Sequence, residues 1–231
     1  KRLLEIGAGT GWQSRALSEA GFEVEAVDLP AESAISNHAH DRDWPIRDYD
    51  GVHLPFADGS FDIVYSSNVL EHVVHLNALM GEMRRVLRDG GVALHLVPNS
   101  NWRLLSLVTF YPALLVDAAV WLGRRRAEPN SEAASRQAPG QSFARKLARR
   151  IVPHAHGSVG TALTELGRFS KRAWDSYFAR TRWEVLHYAT NGMVASGDYL
   201  LGSALPLGPR RALGRLAGGI AHVYLLRPTT E

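Results

Sequence analysis

The strongest constraint on this chain is its opening run, Leu3-Leu-Glu-Ile-Gly-Ala-Gly-Thr-Gly11, where three glycines fall at alternate positions. Residues 3–6 read as a short buried strand and residues 12–20 as the helix that follows it. Glycine reaches backbone conformations closed to other residues and lets a ligand lie against bare main chain. A strand, a glycine turn and a helix N-terminus in that order form a corner suited to nucleotide-like ligands. Plain strand–helix connections use such turns as well. The spacing is not that of a dinucleotide fingerprint, whose third glycine would stand where Trp12 stands. A second strand over 23–27 leads into Asp28, which at a strand tip can accept from both hydroxyls of a ribose or can be a solvated loop acid.

Two further segments narrow the reading. One runs from Asp50 to Val73 and contains Asp50-Gly-Val-His-Leu-Pro-Phe, Gly59-Ser-Phe-Asp and Asn68-Val-Leu-Glu-His-Val. The other is Glu82-Met-Arg-Arg-Val-Leu-Arg-Asp-Gly-Gly-Val-Ala-Leu-His-Leu-Val-Pro98. In this order, residues 1 to about 100 closely resemble the class I methyltransferases that use S-adenosylmethionine, in particular the small-molecule branch that includes quinone-biosynthesis enzymes. The resemblance implies a cofactor site built from Glu5, Gly7, Ala8, Gly9, Gly11, Asp28, Leu29, Asp50, Gly51, Ser66, Ser67 and Asn68. Within it, the glycines would pass under the methionine part, with Glu5 ordering their turn, and Asp28 would hold the ribose. Asp50 would accept from the adenine amino group beside the Gly51 backbone. Ser66 to Asn68 would line the amino-acid end and open toward the acceptor. Asp62, starting the fourth strand, reads as structural.

Hydrophobic patterning places strands near 3–6, 23–28, 46–49, 61–66 and 91–97, alternating with helices near 12–20, 31–37 and 75–87. Arg88-Asp-Gly-Gly reads as a turn between the last helix and the fifth strand. Two late strand candidates, 183–190 and 220–226, bring the total to seven. The expected fold is α/β: a Rossmann-like, doubly wound, mostly parallel sheet with an antiparallel edge strand and a helical insertion between strands 5 and 6. The expected division is a cofactor-binding core over 1–100, an insertion and basic linker covering the acceptor site over 101–180, and final strands of the same sheet over 181–231.

The insertion carries the charge. Residues 123–150 hold eight of the 26 Lys and Arg residues but two of the 23 Asp and Glu, so this segment is +6 within a chain of net +3. Residues 104–122 are apolar enough to suggest a membrane span, but Pro112 and Asp117 oppose one, and a helical cover over the pocket is favoured. Residues 127–141 read as a linker. Over 142–152, Phe143, Leu147 and Ile151 share one helical face and Arg145, Lys146, Arg149 and Arg150 the other. Such a helix either covers the sheet or makes weak peripheral contact with an anionic membrane. Nucleic acid is not expected as a partner, since the basic patch lacks interleaved aromatics and a recognition module.

The absence of cysteine excludes disulfides, thiolate metal sites and a cysteine nucleophile. It fits a cytoplasmic setting, with any membrane contact peripheral, at its inner face. No signal peptide is visible. A chain starting at Lys1 is expected to have lost its beginning, where the resemblance implies one or two helices that close over the cofactor.

Methyl transfer from a sulfonium asks mainly for alignment and exclusion of water. For a hydroxyl acceptor a general base helps, and His72, just after the fourth strand, is the first candidate; shaping the pocket through the backbone is its alternative role. Asn99, Trp102, His154 and His156 are the candidate acceptor contacts. Tyr111 and Trp121 could also line the pocket, whereas Trp174, Tyr177 and Phe178 read as helix-to-sheet packing. His154-Ala-His156 with Glu165 has the residue types of a metal site, but a loop is favoured and no metal is expected. The expected activity is methylation of a small or lipid-like acceptor, oxygen favoured, with nitrogen or carbon as alternatives. A non-catalytic cofactor-binding subunit is the reading from another class.

Overall fold

A computed structural model describes residues 1–30, 42–127, 155–157, 160–194 and 207–229. The helix expected over 31–37, the basic segment 142–152, and His154 lie outside the described residues. In chain order the elements are β1 (Arg2–Ile6), α1 (Trp12–Glu19), β2 (Glu23–Asp28), β3 (Arg47–Asp48), β4 (Phe61–Ser67), a 3₁₀ turn (Leu70–His72), α2 (Leu76–Val86) and β5 (Leu87–Pro98). These are followed by α3 (Ser100–Ala127), α4 (Thr164–Arg168), α5 (Lys171–Arg180), β6 (Trp183–Thr190), α6 (Leu207–Ala217) and β7 (Ala221–Pro228).

The strands form one seven-stranded sheet in the order β3-β2-β1-β4-β5-β7-β6. Leu3 pairs with Val24 on one side and Ile63 on the other, both in parallel. β7 runs antiparallel between β5 and β6, with Tyr224 opposite His95 and Tyr188. The antiparallel strand therefore lies one place in from the edge, and β6 forms the edge itself. Chain order reverses between β1 and β4, so the carboxyl ends of these two strands flank the crevice where ligands bind in open α/β sheets.

Strand alternation sets the two faces. Leu4 and Ile6 join a core that includes Val64, Leu79, Met80, Met83, Val86, Phe178 and Leu226. Glu5 points the other way and takes a hydrogen bond from Ser14 of α1. On α2 the buried positions Leu79, Met80, Met83 and Val86 recur at helical spacing. Each such side chain contributes about 1.5–3 kcal/mol on full burial. The polar side of the same helix clamps the Leu54-Pro-Phe segment. Glu82 accepts from the Leu54 N–H at 2.9 Å, and Arg85 donates to the Leu54 and Phe56 carbonyls at 2.9 and 2.7 Å.

One expectation is corrected here. Arg88-Asp-Gly-Gly is not a turn ahead of the fifth strand but a bulge inside it, because Phe61 already pairs with Leu87 before the register resumes at Ile63 and Val92. The glycines permit the excursion, with Gly90 at φ 74°. The insertion opens with α3, which runs through Pro112. Among the described residues, no helix is long and apolar enough to cross a membrane.

His95 on β5 is fully buried and meets the Ser66 hydroxyl at 2.8 Å through Nδ1. Burial lowers its pKa to about 3. In the unfolded chain it titrates near 6.5, so as pH falls below that value the unfolded state takes up a proton that the folded state refuses. His95 therefore costs the fold about 1.4 kcal/mol for each pH unit between 6.5 and 3. Buried carboxyls with raised pKa act in the opposite sense, so the informative quantity is a difference between variants. Urea unfolding of the parent and His95→Gln at pH 7 and pH 5 should show the parent losing about 2 kcal/mol relative to the variant. Parallel pH curves would contradict this.

Candidate functional site

The site grows from the end of β1. Gly7, Gly9 and Gly11 have φ of 74°, 60° and 86°, in the left-handed region that favours glycine. The three are not equivalent. A Cβ at Gly7 would collide with the Val69 side chain, and one at Gly11 with Trp44, whereas a Cβ at Gly9 meets nothing within 4 Å. Gly9 is thus the glycine whose face is open for a ligand to approach. The turn is pinned to β2: the Val27 carbonyl accepts from the Gly7 and Ala8 N–H groups at 2.8 and 3.2 Å. Asp28 Oδ2 accepts from the Gly9 N–H at 2.6 Å, and Oδ1 from the Leu29 N–H at 2.7 Å. Each oxygen keeps a lone pair for a further donor such as a ribose hydroxyl. Gly11 opens α1 without a side-chain cap, leaving the first-turn N–H groups for the ligand side.

Beneath the turn, Glu5 is buried, and its second oxygen makes no hydrogen bond. Desolvation raises its pKa to about 7, opposed by Ser14 and assisted by the Asp28 charge. Across the crevice, Ser66 is buried and bonded to His95, Ser67 is half-buried, and Asn68 is exposed at φ 54°. The Asp50 segment completes the rim. Asp50 Oδ2 lies 2.6 Å from His53 Nδ1, and Oδ1 accepts from the Val52 and His53 N–H groups. The His53 contact comes first among the causes that hold Asp50 down at about 2. Asp50 is therefore ionised and committed to its own turn, while the neighbouring Gly51 packs near Leu29. These residues fit an adenosyl sulfonium cofactor, with open backbone at Gly9, an acid at the strand tip, and a buried carboxyl with an oxygen to spare.

The acceptor side is built differently from expectation. Leu70–His72 form a 3₁₀ turn that brings His72 beside His156, with ring centroids 4.6 Å apart, and the Trp102 ring lies 4.5 Å from His156. The sequence pointed to these three separately, and the fold brings them together. Burial lowers the pKa of both His72 and His156. Asn99, expected as an acceptor contact, is buried. It accepts from the Trp102 N–H at 2.9 Å and donates to the Gly219 carbonyl at 3.2 Å, so it caps the start of α3. Tyr111 is exposed on α3. Trp174 and Phe178 are buried in the core as expected, while Tyr177 is only partly buried.

Two contributors, Glu71 and Trp44, escaped the sequence reading, and Glu165, noted there only for its residue type beside His154 and His156, takes a different part. Glu71 is buried with neither carboxylate oxygen hydrogen-bonded, and burial raises its pKa to about 8. Glu165 is buried, accepts from the His156 and Gly157 N–H groups at 2.7 Å each, and pairs with buried Arg103 at 3.0 Å. Trp44 backs Gly11. The one legible signal was the acid directly preceding His72. Beside this cluster a cleft of about 360 Å³ has Glu71 and Gly157 in its wall, with Phe169, Trp174, Tyr177, Arg168 and Arg180. That volume suits a small ligand.

Comparison with known proteins agrees with this geometry. Residues 4–95 match the family model for "Methyltransferase domain". Demethylmenaquinone methyltransferase of Corynebacterium urealyticum is 38% identical over 90 residues, covering 39% of this chain and 38% of that protein. Malonyl-[acyl-carrier protein] O-methyltransferase of Pectobacterium atrosepticum is 39% identical over 94 residues, covering 39% and 36%. The chain spans between 18% and 38% of the length of such curated relatives. A SAM-dependent methyltransferase from Methanosarcina mazei shares the fold at TM-score 0.54 and 14% identity, covering 100% of this chain and 93% of that one.

The glycines give a direct check. Gly11→Ala should lose about 2–5 kcal/mol, from left-handed strain plus overpacking against Trp44. Gly9→Ala should lose about 1–2 kcal/mol, from strain alone. Equal shifts in urea midpoint for the two variants would contradict the distinction.

Proposed function

We propose that residues 4–95, which match the methyltransferase family model, act as a class I S-adenosylmethionine-dependent methyltransferase domain, and that the protein transfers a methyl group to a small or lipid-like acceptor, with oxygen the favoured atom. The observation that carries the reading is the open Gly9 backbone held against Asp28 at the switch point of the sheet. When bound there, the cofactor supplies a methyl carbon already activated by its positive sulfur. Asp28 would accept from the ribose, the Gly7–Gly11 turn would underlie the methionine part, and Ser67 and Asn68 would face its amino-acid end. Asp50, spent on its own turn, would contribute mainly negative potential near the adenine, with Gly51 offering backbone.

The acceptor would enter the cleft beside Glu71. Phe169, Trp174 and Tyr177 offer it an apolar wall, and Arg168 and Arg180 favour an acceptor with an anionic group. His72 would activate the acceptor: burial holds its imidazole neutral, the state able to take a hydroxyl proton. His156, packed against both His72 and Trp102, would bound the acceptor's reactive end. The two named relatives act on a quinone precursor and on a carrier-bound malonyl group, which supports a small acceptor here. The basic segment 142–152 supports weak peripheral contact with an anionic membrane surface.

Calorimetry with S-adenosylmethionine should give micromolar binding, weakened at least about tenfold by Asp28→Asn, which trades a charged acceptor for a neutral amide. A folded parent that binds no cofactor would overturn the reading. With cofactor bound, an acceptor panel of phenols, hydroxy acids and carrier-linked acids should show turnover that falls at least about 100-fold in His72→Ala. Unchanged turnover would remove His72 from the chemistry. For the membrane contact, anionic vesicles should sediment more protein than neutral ones at low salt and lose it at high salt. Equal sedimentation would remove that contact.

A further inference from the structure

Glu71, His72 and His156 bring one ligand atom each to within 4.8 Å of one another. His72 Nε2 and His156 Nε2 both lie 3.9 Å from the same Glu71 oxygen, Oε1. Nitrogen and oxygen ligands around one divalent ion sit about 3.0–3.4 Å apart at usual bond lengths. Small rotations of the three side chains toward a common centre would close that gap.

A second, independent observation concerns Glu71 alone. Its side chain has no solvent exposure, and neither oxygen makes a hydrogen bond. Buried polar side chains are nearly always hydrogen-bonded, paired or bound to metal, and a carboxyl group without such a partner is disfavoured. The Gly157 backbone packs directly on the Glu71 carbonyl, where a Cβ at position 157 would come within 2.7 Å, so the two segments are locked together. His156 is steadied from behind. Glu165 accepts from its N–H, Arg103 holds Glu165, and Trp102 packs on the imidazole ring. Such supports are what orient a ligating histidine.

We propose that Glu71, His72 and His156 form a binding site for a divalent first-row transition cation, whose remaining coordination positions face the acceptor cleft and take an oxygen of the acceptor. Two imidazoles with one carboxylate suit zinc, manganese or iron(II), whereas magnesium and calcium prefer all-oxygen sets. The site rests on the methyl-transfer reading only for its acceptor, and it refines the part that His72 plays there. As a ligand, His72 holds the ion that draws an acceptor oxygen into line, and an oxygen so held gives up its proton to water more readily. That favours acceptors carrying a hydroxyl or an enolisable oxygen.

The test uses the full chain, stripped with chelator and titrated calorimetrically with Zn²⁺, Mn²⁺ and Mg²⁺, with S-adenosylmethionine binding measured on the same preparations. The expected result is one Zn²⁺ per chain, bound more tightly than Mn²⁺ and far more tightly than Mg²⁺. Glu71→Gln and His156→Gln should each weaken Zn²⁺ at least about tenfold, while His187→Ala, at an exposed histidine on β6, leaves it unchanged. Cofactor affinity should stay within about threefold in all of them. Should the buried Glu71→Gln fail to fold, the exposed His156→Gln still decides the matter. A folded parent that binds cofactor but no Zn²⁺, or Zn²⁺ binding indifferent to both ligand variants, overturns the cation site and leaves methyl transfer standing. Loss of cofactor binding in the folded parent overturns the earlier reading instead.

Discussion

The hydrogen bond from the Gly9 N–H to Asp28 is the tie on which the upper edge of this molecule depends. It fixes the glycine turn at the end of β1 to the tip of β2, where two further bonds to the Val27 carbonyl already hold it. With the turn anchored, Gly11 can start α1 in the left-handed conformation, and Ser14 falls where it can reach Glu5 on the face of β1. The neighbouring β4 delivers Ser66 to Asn68 across the crevice because Ile6 and Ser66 share a register position. One local interaction thus connects strand pairing, helix entry and the cofactor corner.

A second theme is the placement of acid in apolar surroundings. Glu5 and Glu71 both carry desolvated carboxyls with raised pKa, and both leave oxygens without hydrogen bonds. Glu165 is equally buried, but one of its oxygens accepts from two backbone N–H groups and the other is ion-paired with Arg103. The contrast sorts these residues by use. Glu165 spends its charge on holding the 156–157 backbone, whereas Glu5 and Glu71 keep acceptor capacity at the two sides of the site. Burial of a polar group without a partner costs roughly 1–3 kcal/mol, and natural folds carry such costs where function needs the group.

How much of this was legible depended on whether the information was local. β1, β2 and β6 were readable because apolar runs and punctuation mark them within a few residues, and the glycine corner because each glycine answers a backbone requirement nearby. Arg88-Asp-Gly-Gly misled because the same residues serve a turn or a bulge, and only the pairing of Phe61 with Leu87 decides between them. Asn99 misled in another way. Its place after β5 suggested the acceptor, but the exposed N–H groups at the start of α3 claimed its side chain. Glu71 was passed over because its importance lies in neighbours distant in sequence, His156 and Gly157, which pattern reading cannot bring to it.

The most direct test of the central claim is a crystal structure of the chain with S-adenosylhomocysteine. The account predicts both ribose hydroxyls within about 2.5–3.0 Å of the Asp28 carboxylate, with the homocysteine lying over Gly9. The ligand bound elsewhere, or the Asp28 carboxylate left with the Gly9 and Leu29 N–H groups as its only donors, would contradict it.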